Sequence, residues 1–284
     1  MPGSSLRVAV AQIESVPGDL TANHRKHREV IDDARAAGVE LLVFPELSLT
    51  GHGAGAEAPR LALNAASELV TGLAEASGGM RTVLGMIEET PAALFHNTAV
   101  MVRDGRMEFL HRKVNLATYG RLEEGKHYAA GRVIETCGLD APWRAGLLIC
   151  ADLWNPPLVH LAAARGATVL LAPISSALEA VGAEFDNPGG WDVNLRFHAM
   201  TYGLPIAMAN RIGAEGTLTF WGGSRILDPF GRTVARADGA GEQLVKADLD
   251  FEEVRRARWL LPTLRDSNPL LLHAEFTRLV TPPG

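Results

Sequence analysis

Cysteine is scarce in this chain of 284 residues: only Cys137 and Cys150 are present. They form no C-x-x-C pair and stand beside no histidine cluster, so neither a disulfide framework nor a zinc site is supported, and reduced thiols are expected. Positive charge is also in deficit, with Lys+Arg 27 against Asp+Glu 33 and a formal net charge of -6. No basic field is available to hold a phosphate backbone, which excludes nucleic acid as an expected partner. Long apolar runs are missing as well. None approaches the roughly 20 residues that span a bilayer, and the start, Met1-Pro-Gly-Ser-Ser, lacks a charged region followed by an apolar core. The expectation is a cytoplasmic protein with no membrane partner.

Strand and helix patterns alternate along the chain, without a repeat. Residues 6–13 read as a strand and 20–37 as a helix, with Asp19 as N-cap and Gly38 as its stop. Residues 41–44 and 82–88 read as strands and 60–76 as a helix by composition. Residues 97–102 and 107–112 form a hairpin around Arg103-Asp-Gly-Arg106, since Asp-Gly supplies the positive φ of a tight turn. Helices follow over 157–165 and 191–202, each ended by a glycine, with strands over 168–172, 206–210, 224–227 and 243–247. Residues 260–284, carrying Pro262, Pro269, Pro282 and Pro283, read as extended. Strands joined by both helices and hairpins imply mixed sheets covered by helices.

Cys150 closes the apolar run Ala145-Gly-Leu-Leu-Ile149, where an open α/β sheet presents ligand-binding residues beyond its strand ends. Glu46 follows Leu41-Leu-Val-Phe-Pro45 and Lys113 follows Met107-Glu-Phe-Leu-His-Arg112. A lone buried cysteine is more often an inert small hydrophobe, and a lone charge after a strand is more often solvated. The local sequences change that balance: Phe44-Pro-Glu-Leu-Ser-Leu-Thr-Gly51, His111-Arg-Lys-Val-Asn-Leu-Ala-Thr-Tyr-Gly120 and Leu148-Ile-Cys-Ala-Asp152. In this order they resemble the signature blocks of the nitrilase superfamily of carbon-nitrogen hydrolases. The likeness extends from Val8-Ala-Val-Ala-Gln12 through Asn97-Thr-Ala-Val100, Ala209-Asn-Arg-Ile-Gly213, Gly222-Gly-Ser-Arg-Ile226 and Asp228-Pro-Phe-Gly231 to a closing strand and helix over 248–256.

The resemblance implies an α/β four-layer α-β-β-α sandwich, with residues 1–260 as one carbon-nitrogen hydrolase domain and 261–284 as a C-terminal extension that packs on a partner subunit. It further implies a Cys-Glu-Lys triad. Glu46 is the candidate base, because a thiol of ordinary pKa is only a few per cent thiolate near neutrality. Lys113 suits an oxyanion, with the backbone N–H of Ala151 as a second donor. Attack by Cys150, loss of ammonia or an amine, and hydrolysis of a thioester would complete the cycle. No metal and no cofactor is required, since every proton and charge has a side-chain carrier. A second glutamate is expected at Glu124, with Glu123 the alternative register, and Asp152 is expected to hold the turn that presents Cys150.

Substrate-binding candidates are Tyr119, Ala151, Trp154 and Trp191. Tyr119 lines the pocket or simply packs, and Trp154 is a pocket wall or core packing. Residues 175–191 read as a substrate loop whose acids, Glu179, Glu184 and Asp186, suit an amine-bearing substrate or are merely solvated. Ala151 and Asp152 after the cysteine favour a small amide or N-carbamoyl substrate over a nitrile, the Trp-Glu of nitrilases proper being absent. Trp154 resembles the N-carbamoyl-amidases and the glutaminase domains of NAD synthetases. With no pyrophosphate-binding loop, glutamine-fed NAD synthesis by this polypeptide is not expected. An acyltransferase using the same thioester, a nitrilase and a non-enzymatic binding protein are the alternatives. The family habit of pairing through the helices after Cys150 and Trp191 implies a homodimer or larger homo-oligomer.

Overall fold

The computed structural model describes residues 5–64, 66–239 and 241–281. Its first half builds β1 (Ser5–Gln12), α1 (Leu20–Ala36), β2 (Leu41–Val43), α2 (Ala58–Leu61), α3 (Glu68–Ser77), β3 (Arg81–Glu89), β4 (Phe95–Arg103) and β5 (Arg106–Arg112). The second half builds β6 (Thr136–Gly138), β7 (Arg144–Leu147), α4 (Pro156–Ala164), β8 (Val169–Ile174), α5 (Asn187–Tyr202), β9 (Ile206–Asn210), β10 (Ile212–Glu215), β11 (Leu218–Trp221), β12 (Arg225–Leu227), β13 (Thr233–Arg236), β14 (Gln243–Asp250), α6 (Phe251–Leu260) and α7 (Pro269–Val280). Two six-stranded mixed sheets result, ordered β14-β1-β2-β3-β4-β5 and β13-β12-β9-β8-β7-β6, beside the small hairpin β10-β11.

The alternation of side chains along a strand stacks these layers. Val8, Val10, Leu41 and Val43 point into a core shared with Ala145, Leu147, Val169 and Leu171 of the second sheet. Their neighbours Ala9, Ala11, Leu42 and Phe44 turn to the opposite face, against Ile31 and Ala34 of α1 and Val70 and Leu73 of α3. Val159 of α4 and Leu195 of α5 join the inter-sheet cluster from the second sheet's side. This is the α-β-β-α sandwich that the resemblance implies. Because both faces of each inner strand are covered, the strands read as unbroken apolar runs. Among the described residues no helix is long and apolar enough to cross a membrane.

Two expectations are corrected. The helix expected over 60–76 is two helices, because Leu63 leaves the helical path to pair with the edge of β3: its N–H donates to the Ile87 carbonyl, and its own carbonyl accepts from Glu89 N–H. Ser67 then caps the restart by accepting from Val70 N–H. The stretch expected to be extended after residue 260 contains α7, capped by Asn268, with Pro269 in the first turn where its missing N–H goes unmissed. Pro282 and Pro283 lie outside the described residues. The pairing β10-β11 was not expected either.

α1 also braces the site. His27 is fully buried, stacked on Phe44 at 4.1 Å, with Nδ1 2.7 Å from the Asn23 carbonyl and Nε2 2.9 Å from Ser48 Oγ. Burial pushes its pKa down to about 4. An unfolded histidine takes up a proton below about pH 6.5, while the native one stays neutral down to about 4. The stability it contributes is therefore complete above pH 6.5 and lost as pH falls toward 4, on the order of 3 kcal/mol. Melting temperature measured from pH 6.5 down to pH 5 should fall less steeply in His27→Gln; an unchanged slope contradicts this.

Candidate active site

Two turns and one strand end carry the ionisable residues. β2 runs into Pro45, and Glu46 sits in the turn that follows, with Leu47 at φ 51° and the Glu46 N–H reaching the Ile174 carbonyl of β8 at 3.4 Å. Gly85 of β3 lies directly beneath. A Cβ there would stand 2.4 Å from Leu47 N and 2.5 Å from the Pro45 carbonyl, so only glycine admits this turn. Ser48 Oγ locks it from the other side by accepting from Gly85 N–H at 3.3 Å and meeting His27.

Lys113 continues β5, its N–H donating to the Asn97 carbonyl at 2.9 Å. Its fully buried ammonium lies 2.6 Å from Glu46 Oε1 and 2.7 Å from Glu124 Oε2. Asn97 Nδ2 donates to Glu46 Oε1 and to Glu124 Oε1, each at 2.8 Å, and Ala117 N–H donates to Glu124 Oε2 at 2.6 Å. Glu124 therefore belongs to the cluster, whereas Glu123 turns to solvent and pairs with Lys126 at 2.6 Å. Burial works to lower the Lys113 pKa, but the carboxylates of Glu124 and Glu46 outweigh it and hold the amine well above its usual range. Burial likewise works to raise Glu124; Lys113 and the Ala117 N–H prevail and keep it below the carboxylate norm.

Cys150 opens a short helical turn, Cys150–Trp154, three residues beyond the end of β7 and at φ 44°. A positive φ at a non-glycine residue persists only where the surroundings impose it. Asp152 does so here: it is fully buried, and its Oδ2 accepts from Ile149 N–H at 3.0 Å while its Oδ1 accepts from Val114 and Asn115 N–H at 3.0 and 2.8 Å. His111 Nε2 completes the set, 2.9 Å from Oδ2. One carboxylate thus rivets the Cys150 turn to the chain leaving Lys113. Burial pushes the Cys150 thiol well up, the Glu46 charge raises it further, and Lys113 and the Ser175 N–H pull the other way.

Cys150 lies in the wall of a 230 Å³ cavity with Tyr119, Trp154 and Trp191, three of the four expected substrate-binding residues. Ala151 is buried behind the thiol and is not part of that wall. Trp191 is fixed by its Nε1–H donating to Ser176 Oγ at 3.0 Å. Within the loop over 175–191, Glu179 accepts from Thr219 N–H and Asp186 caps α5, so both acids hold the protein's own backbone. His198, buried on α5, meets the Leu153 carbonyl at 2.9 Å and props the cysteine turn. A larger groove along α6, of 630 Å³ between Phe251 and Arg265, contains no nucleophile. Sequence reasoning gave no role to Asn97, His111 or His27. The first two lie inside quoted motifs, and only the β4-β5 ladder reveals what they face.

Among known proteins, the chain is 29% identical over 265 residues to the glutamine-dependent NAD(+) synthetase of Thermotoga maritima, a match covering 92% of this chain and 45% of that protein. It thus spans about half the length of that relative. It is 26% identical over 292 residues to an aliphatic nitrilase of Sinorhizobium fredii, covering 90% of each. A solved amidase from Nesterenkonia sp. superposes with a TM-score of 0.80 at 26% identity, covering 96% of this chain and 97% of that one. A mutant of the Nesterenkonia sp. AN1 amidase shows covalent addition of the acetamide moiety of fluoroacetamide at its active site cysteine. The carbon-nitrogen hydrolase family model matches residues 7–259, and the chain belongs to that family.

Proposed function

We propose that the protein hydrolyses the C–N bond of a small amide or N-carbamoyl compound through a thioester on Cys150. The observation that carries this reading is the buried ammonium of Lys113 clamped between Glu46 and Glu124 behind a cavity whose wall holds Cys150. Glu46 takes the thiol proton as sulfur bonds to the carbonyl carbon, and gives it to the departing nitrogen as the C–N bond breaks. Water then attacks the thioester; Glu46 accepts its proton, the C–S bond breaks, and the proton returns to Cys150. Of the three N–H donors on Lys113, two are held by Glu46 and Glu124, which leaves one for the oxyanion. The Ala151 N–H, at the start of the helical turn, serves as the second donor. Glu124 positions the lysine.

The amide is preferred because Ala151 and Asp152 follow the nucleophile; the nitrilase among the relatives keeps nitrile hydrolysis as the second reading. Ammonia release from ω-amides, N-carbamoyl amines, N-carbamoyl amino acids and matched nitriles, run beside Cys150→Ala, separates the two. Release from an amide or carbamoyl class that vanishes in the variant is expected; activity confined to nitriles, or surviving in Cys150→Ala, overturns the reading.

The same reading carries a homodimer, supported by the exposed Val193, Phe197 and Met200 along α5 and Leu161 on α4, with residues 261–284 as an extension outside the catalytic domain. Light scattering should report a dimer that Phe197→Glu splits; a monomeric wild type contradicts it. Two free cysteines, one of them the nucleophile, suit a cytoplasmic, reducing setting.

A further inference from the structure

We infer that the acyl group transferred to Cys150 is short, uncharged and apolar, and that amides bearing a carboxylate or an ammonium on that group, glutamine among them, are poor substrates. The inference rests on the amide-hydrolase reading and adds what the cavity selects. At 230 Å³ the cavity is smaller than the roughly 300–1,000 Å³ of drug-sized sites, so the acyl group is small. Its wall is built from Tyr119, Leu122, Trp154, Val181, Phe185 and Trp191, together with small residues, Asn187 and the thiol. Among the described residues, no Arg, Lys, His, Asp or Glu lines it. An ion entering such a wall surrenders its hydration without gaining a partner.

Three polar groups of the wall, on Ser176, Asn187 and Trp191, are committed to the protein itself. Ser176 Oγ accepts from Trp191 Nε1–H and from Asn187 Nδ2, and the same Asn187 amide reaches the Ala177 carbonyl at 2.6 Å. The Ser175 hydroxyl is buried and unpartnered. It belongs to the residue whose backbone N–H supports the Cys150 sulfur, which puts it at the reacting end of the cavity.

At the far end the rings form a continuous apolar rim. Trp154 meets Phe185 edge-on at 5.9 Å and Trp191 at 5.0 Å. Gly190 makes this possible: a Cβ there would stand 2.9 Å from the Phe185 ring and 3.2 Å from that of Trp154. Trp154 and Phe185 remain partly exposed, which is apolar surface that an apolar substrate would cover. Charge behind the cavity points the same way against anions, since two carboxylates and one ammonium leave the Glu46, Lys113 and Glu124 cluster net negative. Cations find no counter-ion in the wall itself: Glu179 and Asp186 are spent on Thr219 N–H and on the cap of α5, and Glu184 is not among its lining residues.

The test uses amides of matched length, hexanamide, glutaramate and 5-aminopentanamide, with phenylacetamide as an aromatic probe. Two readouts are taken: kcat/KM for ammonia release, and protection of Cys150 from iodoacetamide, with Cys137 as internal reference by peptide mapping. Hexanamide and phenylacetamide should be turned over about 100-fold faster than either charged amide and should alone protect Cys150. Trp154→Ala and Phe185→Ala should each lower hexanamide kcat/KM about tenfold and narrow its advantage over the charged amides. The inference is overturned if glutaramate or 5-aminopentanamide matches or exceeds hexanamide, or if no amide protects Cys150. Efficient turnover of a charged amide that is lost in Cys150→Ala removes this inference alone. Ammonia release that survives in Cys150→Ala removes the hydrolase reading instead.

Discussion

Glu46→Gln should lower kcat on the order of 10³-fold while making Cys150 easier to ionise. The two effects move in opposite directions because Glu46 acts on the thiol in two ways. As a charge it raises the Cys150 pKa, adding to burial, so the thiol stays protonated through neutral pH and its alkylation climbs only above the ordinary thiol range. As a base it is the acceptor that makes attack feasible without a free thiolate: Oε1 is occupied by Lys113 and Asn97, whereas Oε2 is buried with no partner. Glutamine keeps the volume and can still accept from Lys113, so the cluster is preserved while charge and basicity disappear. The pH profile of iodoacetamide labelling should therefore shift to lower pH in Glu46→Gln as turnover collapses. Labelling that shifts to higher pH, or turnover near the wild-type rate, would remove Glu46 from the base role.

Asp152→Ala should cost about 3–5 kcal/mol of stability, because the change strips a fully buried carboxylate from three backbone N–H donors and the ring of His111. For a chain of this size that corresponds to roughly 10 °C in melting temperature. Asp152→Asn, which retains one acceptor oxygen, should lose less stability yet still lose activity. Its amide cannot hold the Cys150 turn and the chain beyond Lys113 together from both oxygens. Calorimetry paired with kcat on the same preparations checks this; an Asp152→Asn enzyme with full activity would show that the rivet is dispensable to catalysis.

Legibility in the sequence followed how local each determinant is. The strand over residues 41–44 could be read because Leu41 and Val43 face one core while Leu42 and Phe44 face another, leaving no polar position. The break after Leu61 could not, since it depends on Leu63 finding β3 more than 20 residues away in the chain. α7 was hidden by its prolines: Pro269 argues against a helix interior but is welcome at a helix start capped by Asn268. In the site, Glu46, Lys113 and Cys150 were each marked by motif. Glu124 was expected from the motif, with Glu123 as the alternative register, and what the sequence could not show is how the short turn Glu124–Lys126 sends the first inward and the second to solvent. Asn97 and His111 became meaningful only when β4 and β5 set them opposite Glu46, Glu124 and Asp152.

The central claim is a covalent acyl-enzyme on Cys150, and intact-mass analysis with peptide mapping of Glu46→Gln mixed with hexanamide tests it most directly. Slowed deacylation in that variant should leave a hexanoyl adduct, carried by the peptide containing Cys150 and removed by hydroxylamine as the hexanohydroxamate, the reaction of a thioester. An adduct on any other residue, or turnover of hexanamide by Cys150→Ala, would contradict the account.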